Sequence, residues 1–310
     1  MVQLNDSENG IIIFAAPSNL HLLCDPAVKI LGDGTFKTCP RFFTQLYILH
    51  AFKNGVYVPC VFCLLPSKSE DIYHKMFQAV HFMCVQQGLH LDVTSINLDF
   101  ELATHKAVLK IWPNASIQGC FFHLSQAWYR KINSLGLSVD YQQPDSDVGL
   151  WLKRFFGLSF LNPTEVEDCL AFDVMLDAPD DERCVQFSNY ILSTYAAPDA
   201  TFPPTLWANH DLDDVKTTNG CESFHRHFSD LFRSPHPNVF ELMANLKDIQ
   251  AYSTTKLNTI RTGRGAPVLR RQVRLKRDAM ATIKRRYAAN DISRKQFVSK
   301  MAWKNLPAKL

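Results

Sequence analysis

The chain lacks a long apolar run, a disulfide framework and any internal repeat, and each lack excludes a class of protein. No uninterrupted hydrophobic stretch approaches the roughly 20 residues that a bilayer-crossing helix needs, so no membrane partner is expected. The first apolar segment, Ile11 to Ala16, is short and preceded by Asp6 and Glu8 rather than by Lys or Arg. That is not a secretory leader. The nine cysteines are an odd number and scattered. Cys60, Cys63, Cys84 and Cys120 lie in apolar runs, as small buried hydrophobes do in a reducing compartment. The expectation is a soluble intracellular protein.

What is present is a large apolar fraction and an uneven charge. At 46% hydrophobic residues, the chain can bury the core of one large domain or two smaller ones. The net charge of +3 conceals a split. Residues 251–310 hold 16 Lys/Arg against 2 Asp/Glu, leaving 17 basic and 28 acidic residues for the rest. A basic tail on an acidic body points to a polyanionic partner; the plainer reading is a solvated helical tail.

Hydrophobic patterning predicts strands over Val28–Phe36, Gln45–Phe52 and Val56–Leu65, the last two joined by the hairpin signal Asn54-Gly55. Ser69 reads as the N-cap of a helix ending near Gln87, with Gly88 as its stop. Strands at Val93–Leu98 and Ser116–Phe121 alternate with helices from Glu101 to Ile111 and from about His123. Three antiparallel strands followed by crossover units give a mixed five-stranded α/β sheet flanked by helices, the layout of a ribonuclease-H-like fold. Residues 138–212 carry helical patterns instead, with Asp177, Asp180, Asp181 and Glu182 as a solvated acidic turn. The expected organisation is an extension over 1–24, the first part of the core over 25–137, an all-helical insertion over 138–212, the last part of the core over 213–255 and a basic helical tail over 256–310.

Three acids stand out. Asp33, in Gly32-Asp33-Gly34-Thr35-Phe36, equally marks a tight turn, but a strand that continues through it leaves the carboxylate on a sheet face. Asp99 ends a strand and is also a candidate N-cap for the next helix. Glu101 beside it either supports Asp99 or adds a favourable charge to the first helical turn. Glu222 follows the cap-type residues Thr217, Thr218 and Asn219 and precedes His225 by three, on the same helical side. If the three acids converge, their hard oxygens suit Mg²⁺ or Mn²⁺, and two such ions about 3.5–4 Å apart activate phosphodiester chemistry.

Cys60-x-x-Cys63 has a zinc-pair spacing, but strand alternation places the two thiols on opposite faces, so zinc is not expected. Cys120 and His123 sit at a strand-to-helix junction, with roles in metal binding, phosphate orientation or packing left open. In the tail, Arg270, Arg271, Arg274, Lys276, Arg277, Lys284, Arg285 and Arg286 are dense enough to neutralise phosphates, giving salt-sensitive DNA binding, and to act as a nuclear-import signal.

Together these motifs resemble the transposase domain of Mutator-like elements, a DDE-type family with a ribonuclease-H-like core. The likeness rests on Gly32 to Phe36, Pro59 to Tyr73, Leu98-Asp99-Phe100-Glu101, Gly119-Cys120-Phe121-Phe122-His123, Trp207, Thr217-Thr218-Asn219 with Glu222 and His225, and His236-Pro237, spread over about residues 25–255. It implies that Asp33, Asp99 and Glu222 are the metal-binding catalytic triad and that Cys120 and His123 are the family's Cys-x-x-His pair. It also implies that the helical block separates the second and third acids. The implied activity is cleavage of DNA at element ends and joining of 3′ ends to a target, in a nucleus and within a homo-oligomeric nucleoprotein complex. Family members usually carry an N-terminal zinc-binding recognition domain, which the stretch before Val28 is too short to hold. Specific recognition of element ends is therefore not expected of this sequence. Two rival readings remain: a truncated or domesticated, catalytically silent module that binds DNA or protein, and a ribonuclease-H-like enzyme acting on RNA–DNA hybrids.

Overall fold

The computed structural model describes residues 2–208, 219–262 and 271–306, and the side chains of residues 2, 3, 219, 220 and 222 fall outside that set. In chain order the elements begin with β1 (Val2–Asp6), β2 (Ile11–Ala15), α1 (Pro17–Leu23), β3 (Lys29–Thr35), β4 (Gln45–Lys53) and β5 (Val56–Leu65). They continue with α2 (Glu70–Gln86), β6 (Ser95–Leu98), α3 (Leu102–Ile111) and β7 (Ser116–Gly119). Helices follow: α4 (Phe121–Ser134), α5 (Ser138–Gln142), α6 (Asp147–Leu158), α7 (Val166–Cys169), α8 (Glu182–Ile191), α9 (Pro204–Trp207), α10 (Asn219–Ser229), α11 (Val239–Arg261), α12 (Arg271–Ala288) and α13 (Arg294–Asn305). The chain divides into two compact units, residues 1–118 with 218–267 and residues 119–217 with 268–310.

The first unit is built on one mixed sheet of order β1-β2-β5-β4-β3-β6-β7. Asn54 and Gly55 take φ of 52° and 77°, the positive values a two-residue hairpin turn requires, and join β4 to β5 antiparallel. β3 pairs antiparallel with β4 and parallel with β6. The sheet has seven strands rather than the expected five. The segment before residue 25 is not an appendage: β2 pairs with β5 through Ile12↔Leu64 and Phe14↔Phe62, and β1 lies beside β2. Ile-Ile-Ile-Phe-Ala lacks the polar alternation that advertises a half-buried strand, because Ile11, Ile13, Phe14 and Ala15 are all buried.

Both faces of the sheet are covered, which is why β4 and β5 read as continuous apolar runs. On one face Tyr47, Leu49, Val61 and Cys63 pack with Leu20 of α1, Met76, Phe77 and Val80 of α2 and Val108 of α3. On the other, Leu46, Ile48, Phe62 and Leu64 meet Phe228 of α10 and Leu242, Leu246 and Ile249 of α11. Caps set the helix starts: Ser69 accepts from the Ile72 amide and Asn238 from the Glu241 amide. The thiols Cys60 and Cys63, expected on opposite faces, line the same core. β5 carries an irregularity opposite Leu49 and His50 that leaves Cys60 unpaired in the ladder and resets the alternation. Burial pushes the Cys60 thiol up to about 12 and raises that of Cys63 as well, as for thiols packed in a core.

The second unit is helical and aromatic inside. Trp128 of α4 packs edge-on against Trp207 (5.5 Å between ring centroids) and Tyr195 (5.7 Å), and Phe155 of α6 meets Phe187 of α8 at 4.9 Å. α4 starts at Phe121, two residues before the position expected, because Cys120 takes the N-cap position. The acidic turn is pinned rather than simply solvated. Asp177 pairs with Arg154 and with Lys295 Nζ at 2.5 Å, and Asp181 caps α8 and pairs with Arg183 at 2.6 Å. The basic tail is not uniformly solvated either: Phe297, Val298 and Met301 of α13 are core residues, whereas α12 buries none of its residues.

Candidate active site

β3 runs unbroken through Asp33, so the Asp-Gly pair is not a turn here. Asp33 is 3% exposed. The parallel register Ile30↔Ile96 and Leu31↔Asn97, continued along both chains, sets Asp33 opposite Asp99. Neighbouring strands lie about 4.8 Å apart, and a carboxylate oxygen of Asp33 and one of Asp99 are within 4.8 Å of each other. β6 stops at Leu98, and the α3 N-cap position falls to Glu101, so Asp99 is not the helix cap. Its backbone carbonyl instead accepts a hydrogen bond from His105 Nε2 at 2.6 Å. Burial holds the His105 imidazole below its ordinary pKa, favouring the neutral ring.

The alternation that sets the Asp33 side chain on one face of the sheet puts Gly32 and Gly34 on the other. A Cβ on Gly32 would come within 2.3 Å of the Tyr47 hydroxyl, and one on Gly34 within 2.6 Å of Gln45 Oε1. The two glycines let β4 side chains close over the back of the strand. Gln45 Nε2 donates to the Tyr73 hydroxyl at 2.5 Å, and that hydroxyl donates to Glu101 Oε1 at 3.2 Å. Lys68 Nζ pairs with the other Glu101 oxygen at 3.0 Å. Glu101 thus braces the strand ends from behind. Burial, then Tyr73 and the negative charges of Asp99, Asp33 and Glu101, keep the Tyr47 phenol far above its ordinary pKa, so it stays a neutral hydroxyl.

α10 approaches the front of the sheet. His225 Nδ1 lies 3.3 Å from Asp33 Oδ2, within ion-pair distance, so this helix does reach the carboxylate. Phe224 and His225 both stand near the fully buried His50 of β4, at ring separations of 5.2 and 6.1 Å. Burial holds His50 well below its ordinary pKa. Glu222 sits in the same helix, but its side chain lies outside the described residues, as do all of Arg270, Thr217 and Thr218. In the helical unit, buried Cys120 takes the N-cap position of α4 and His123 the first turn, its ring 5.6 Å from that of Phe122. On α12, Arg271, Arg274, Lys276, Arg285 and Arg286 are exposed, and Arg277 and Lys284 are half-buried.

Sequence reasoning missed Gln45, Tyr47, His50, Tyr73 and His105. His50 did leave a signal, a polar residue inside the apolar run Leu46 to Ala51. Among the described helices none is long and apolar enough to cross a membrane. No curated protein matches the chain. Residues 30–127, which span β3 to the first half of α4 and include Asp33 and Asp99, match the family model of the MULE transposase domain, and the chain carries a Mutator-like element transposase domain there.

Proposed function

We propose that this chain is a DDE-type transposase domain that cuts DNA and transfers strand ends, with Asp33, Asp99 and Glu222 holding two divalent ions, Mg²⁺ or Mn²⁺. The observation that carries the reading is the approach of the Asp33 and Asp99 oxygens, within 4.8 Å of each other, one on β3 and the other just past the end of the parallel β6. The order β5-β4-β3-β6-β7, three antiparallel strands with β6 added parallel to the first of them, supports a ribonuclease-H-like core. The transposase-domain match over the same strands supports the reaction class.

The donors fit a hard cation: carboxylate oxygens come together, one of the two residues buried. Bound there, the ions supply charge to an anionic phosphodiester and activate a water or a 3′-hydroxyl for in-line attack. The chain's own residues set the geometry. His225 steadies Asp33 from α10, and His105 fixes the backbone that carries Asp99. Glu101, held by Lys68 and Tyr73, keeps its charge turned to those partners. The exposed cations of α12 bind the DNA backbone, Lys284-Arg285-Arg286 serves nuclear import, and the active assembly is a homo-oligomer on DNA.

The test is nicking of supercoiled plasmid with Mg²⁺ or Mn²⁺. Asp99→Asn is expected to slow nicking by about 10³-fold or more while leaving the melting temperature unchanged or raised, since clustered negative charge is relieved. Equal nicking by the variant contradicts the reading. A folded wild-type chain that binds DNA but never nicks it favours the silent binding module.

A further inference from the structure

The loop that leaves β3 three residues after Asp33 has an unusual surface. Phe36, Lys37, Arg41 and Phe42 are exposed, with Phe36 at 48% and Phe42 at 89%, whereas Thr38, Cys39 and Pro40 between them are buried. The loop contains no acidic residue. It is also held in place. The His236 amide donates to the Lys37 carbonyl at 2.7 Å, His236 Nδ1 bonds the Cys39 carbonyl at 3.0 Å, and the Thr38 hydroxyl reaches that of Thr35 at 3.4 Å. Beyond it, Lys68 Nζ stands 5.1 Å from the centre of the Phe36 ring.

Phe36 and Phe42 thus leave two large rings in water on one anchored loop, each next to an exposed cation in sequence. Aromatic rings interleaved with cations are the combination that binds single-stranded nucleic acid: bases stack on the rings and phosphates meet the cations. Three residues of strand span about 10 Å, so Phe36 lies within a few nucleotides' reach of Asp33. We propose that Phe36, Lys37, Arg41 and Phe42 form a subsite for an unpaired DNA strand near the Asp33–Asp99 pair, with Lys68, held by Glu101, at its edge. Its placement beside those carboxylates gives it meaning through the function proposed above, but strand binding itself does not depend on catalysis. Charge complementarity, with two exposed rings and two cations on one loop free of acidic residues, singles out a nucleic-acid strand as occupant over a protein helix, which would meet an apolar stripe rather than a cationic one.

The experiment is fluorescence anisotropy of the full chain with a labelled single strand, a duplex of the same sequence and a single strand of abasic sites. Each is followed through a salt series without divalent metal. Phe36→Ser with Phe42→Ser, both at exposed positions, is expected to weaken single-strand binding about tenfold or more and duplex binding far less. The abasic strand is expected to bind the wild type about as weakly as the intact strand binds this variant. Lys37→Ala with Arg41→Ala is expected to flatten the single-strand salt slope by about 1.4, since each phosphate neutralised contributes about 0.7. Unchanged single-strand affinity in the aromatic variant, or equal losses on single strand and duplex, overturns the proposal. The nicking assay reports separately: loop-dependent strand binding without any nicking sinks the catalytic reading and leaves this subsite standing.

Discussion

In the sheet unit the buried polar groups include a carboxylate, Asp33, two imidazoles, His50 and His105, and the amides of Asn19, Gln45 and Asn97, whereas among its described residues the helical unit buries three serines and Lys153 beside its aromatics. Burying a carboxylate and imidazoles costs stability unless partners or a ligand offset it. Two of those serines satisfy themselves locally: Ser159 donates to the Phe156 carbonyl and Ser188 to that of Cys184. The contrast teaches where selection has accepted such a cost. One unit is packed with aromatics, Lys153 its one buried cation among the described residues, whereas the other buries a carboxylate near the end of β3 and imidazoles on β4 and α3.

That contrast breaks if core truncation in the helical unit proves harmless. Trp128 is fully buried against Trp207, Tyr195 and Phe156. Trp128→Ala should cost about 3–5 kcal/mol in chemical denaturation, by transfer and cavity terms together. A smaller but diagnostic loss should come from Gly157→Ala. The added methyl would sit 2.1 Å from the Val298 carbonyl oxygen and force α6 off α13, for about 1–3 kcal/mol. A variant as stable as the wild type would mean that α13 does not dock on α6 as described.

How much of this was legible beforehand follows from the kind of signal each feature leaves. Turn and cap chemistry is local, so Asn54-Gly55 and Ser69 marked their elements closely. Strands β1 and β2 were missed because a doubly covered strand loses its alternation and an edge strand is half polar. The place of α13 was hidden by composition: its Lys and Arg residues suggested a solvated tail, while Phe297, Val298 and Met301 carry the packing. Asp33 and Asp99 were legible because each breaks an apolar strand with a charge. Their meeting was not, since it depends on the parallel register of β3 with β6. Tyr47 and Gln45 became visible only through the space that Gly32 and Gly34 leave.

The sheet unit makes its own prediction about acid. His50 and His105 are buried with lowered pKa values, so below the ordinary histidine value of about 6.5 the unfolded chain takes up protons that the folded chain refuses. Stability should therefore be full above that pH and decline as pH falls below it. His50→Leu should flatten the decline between about pH 6.5 and 5 by on the order of 1 kcal/mol, measured by urea denaturation along a pH series. An unaltered acid limb would place the titration elsewhere. The smallest effect belongs to α12. Arg271→Ala with Arg274→Ala should leave stability within about 0.5 kcal/mol and lower the duplex salt slope by about 1.8. A changed melting temperature with an unchanged slope would make α12 a structural element.

The central claim is that Asp33 and Asp99 share a divalent cation, and Mn²⁺ titration followed by electron paramagnetic resonance tests it directly. The wild type should bind Mn²⁺ at a site lost in both Asp33→Asn and Asp99→Asn, with both variants folded and Mg²⁺ competing for the same ions. Wild-type Mn²⁺ binding retained in either variant would contradict it.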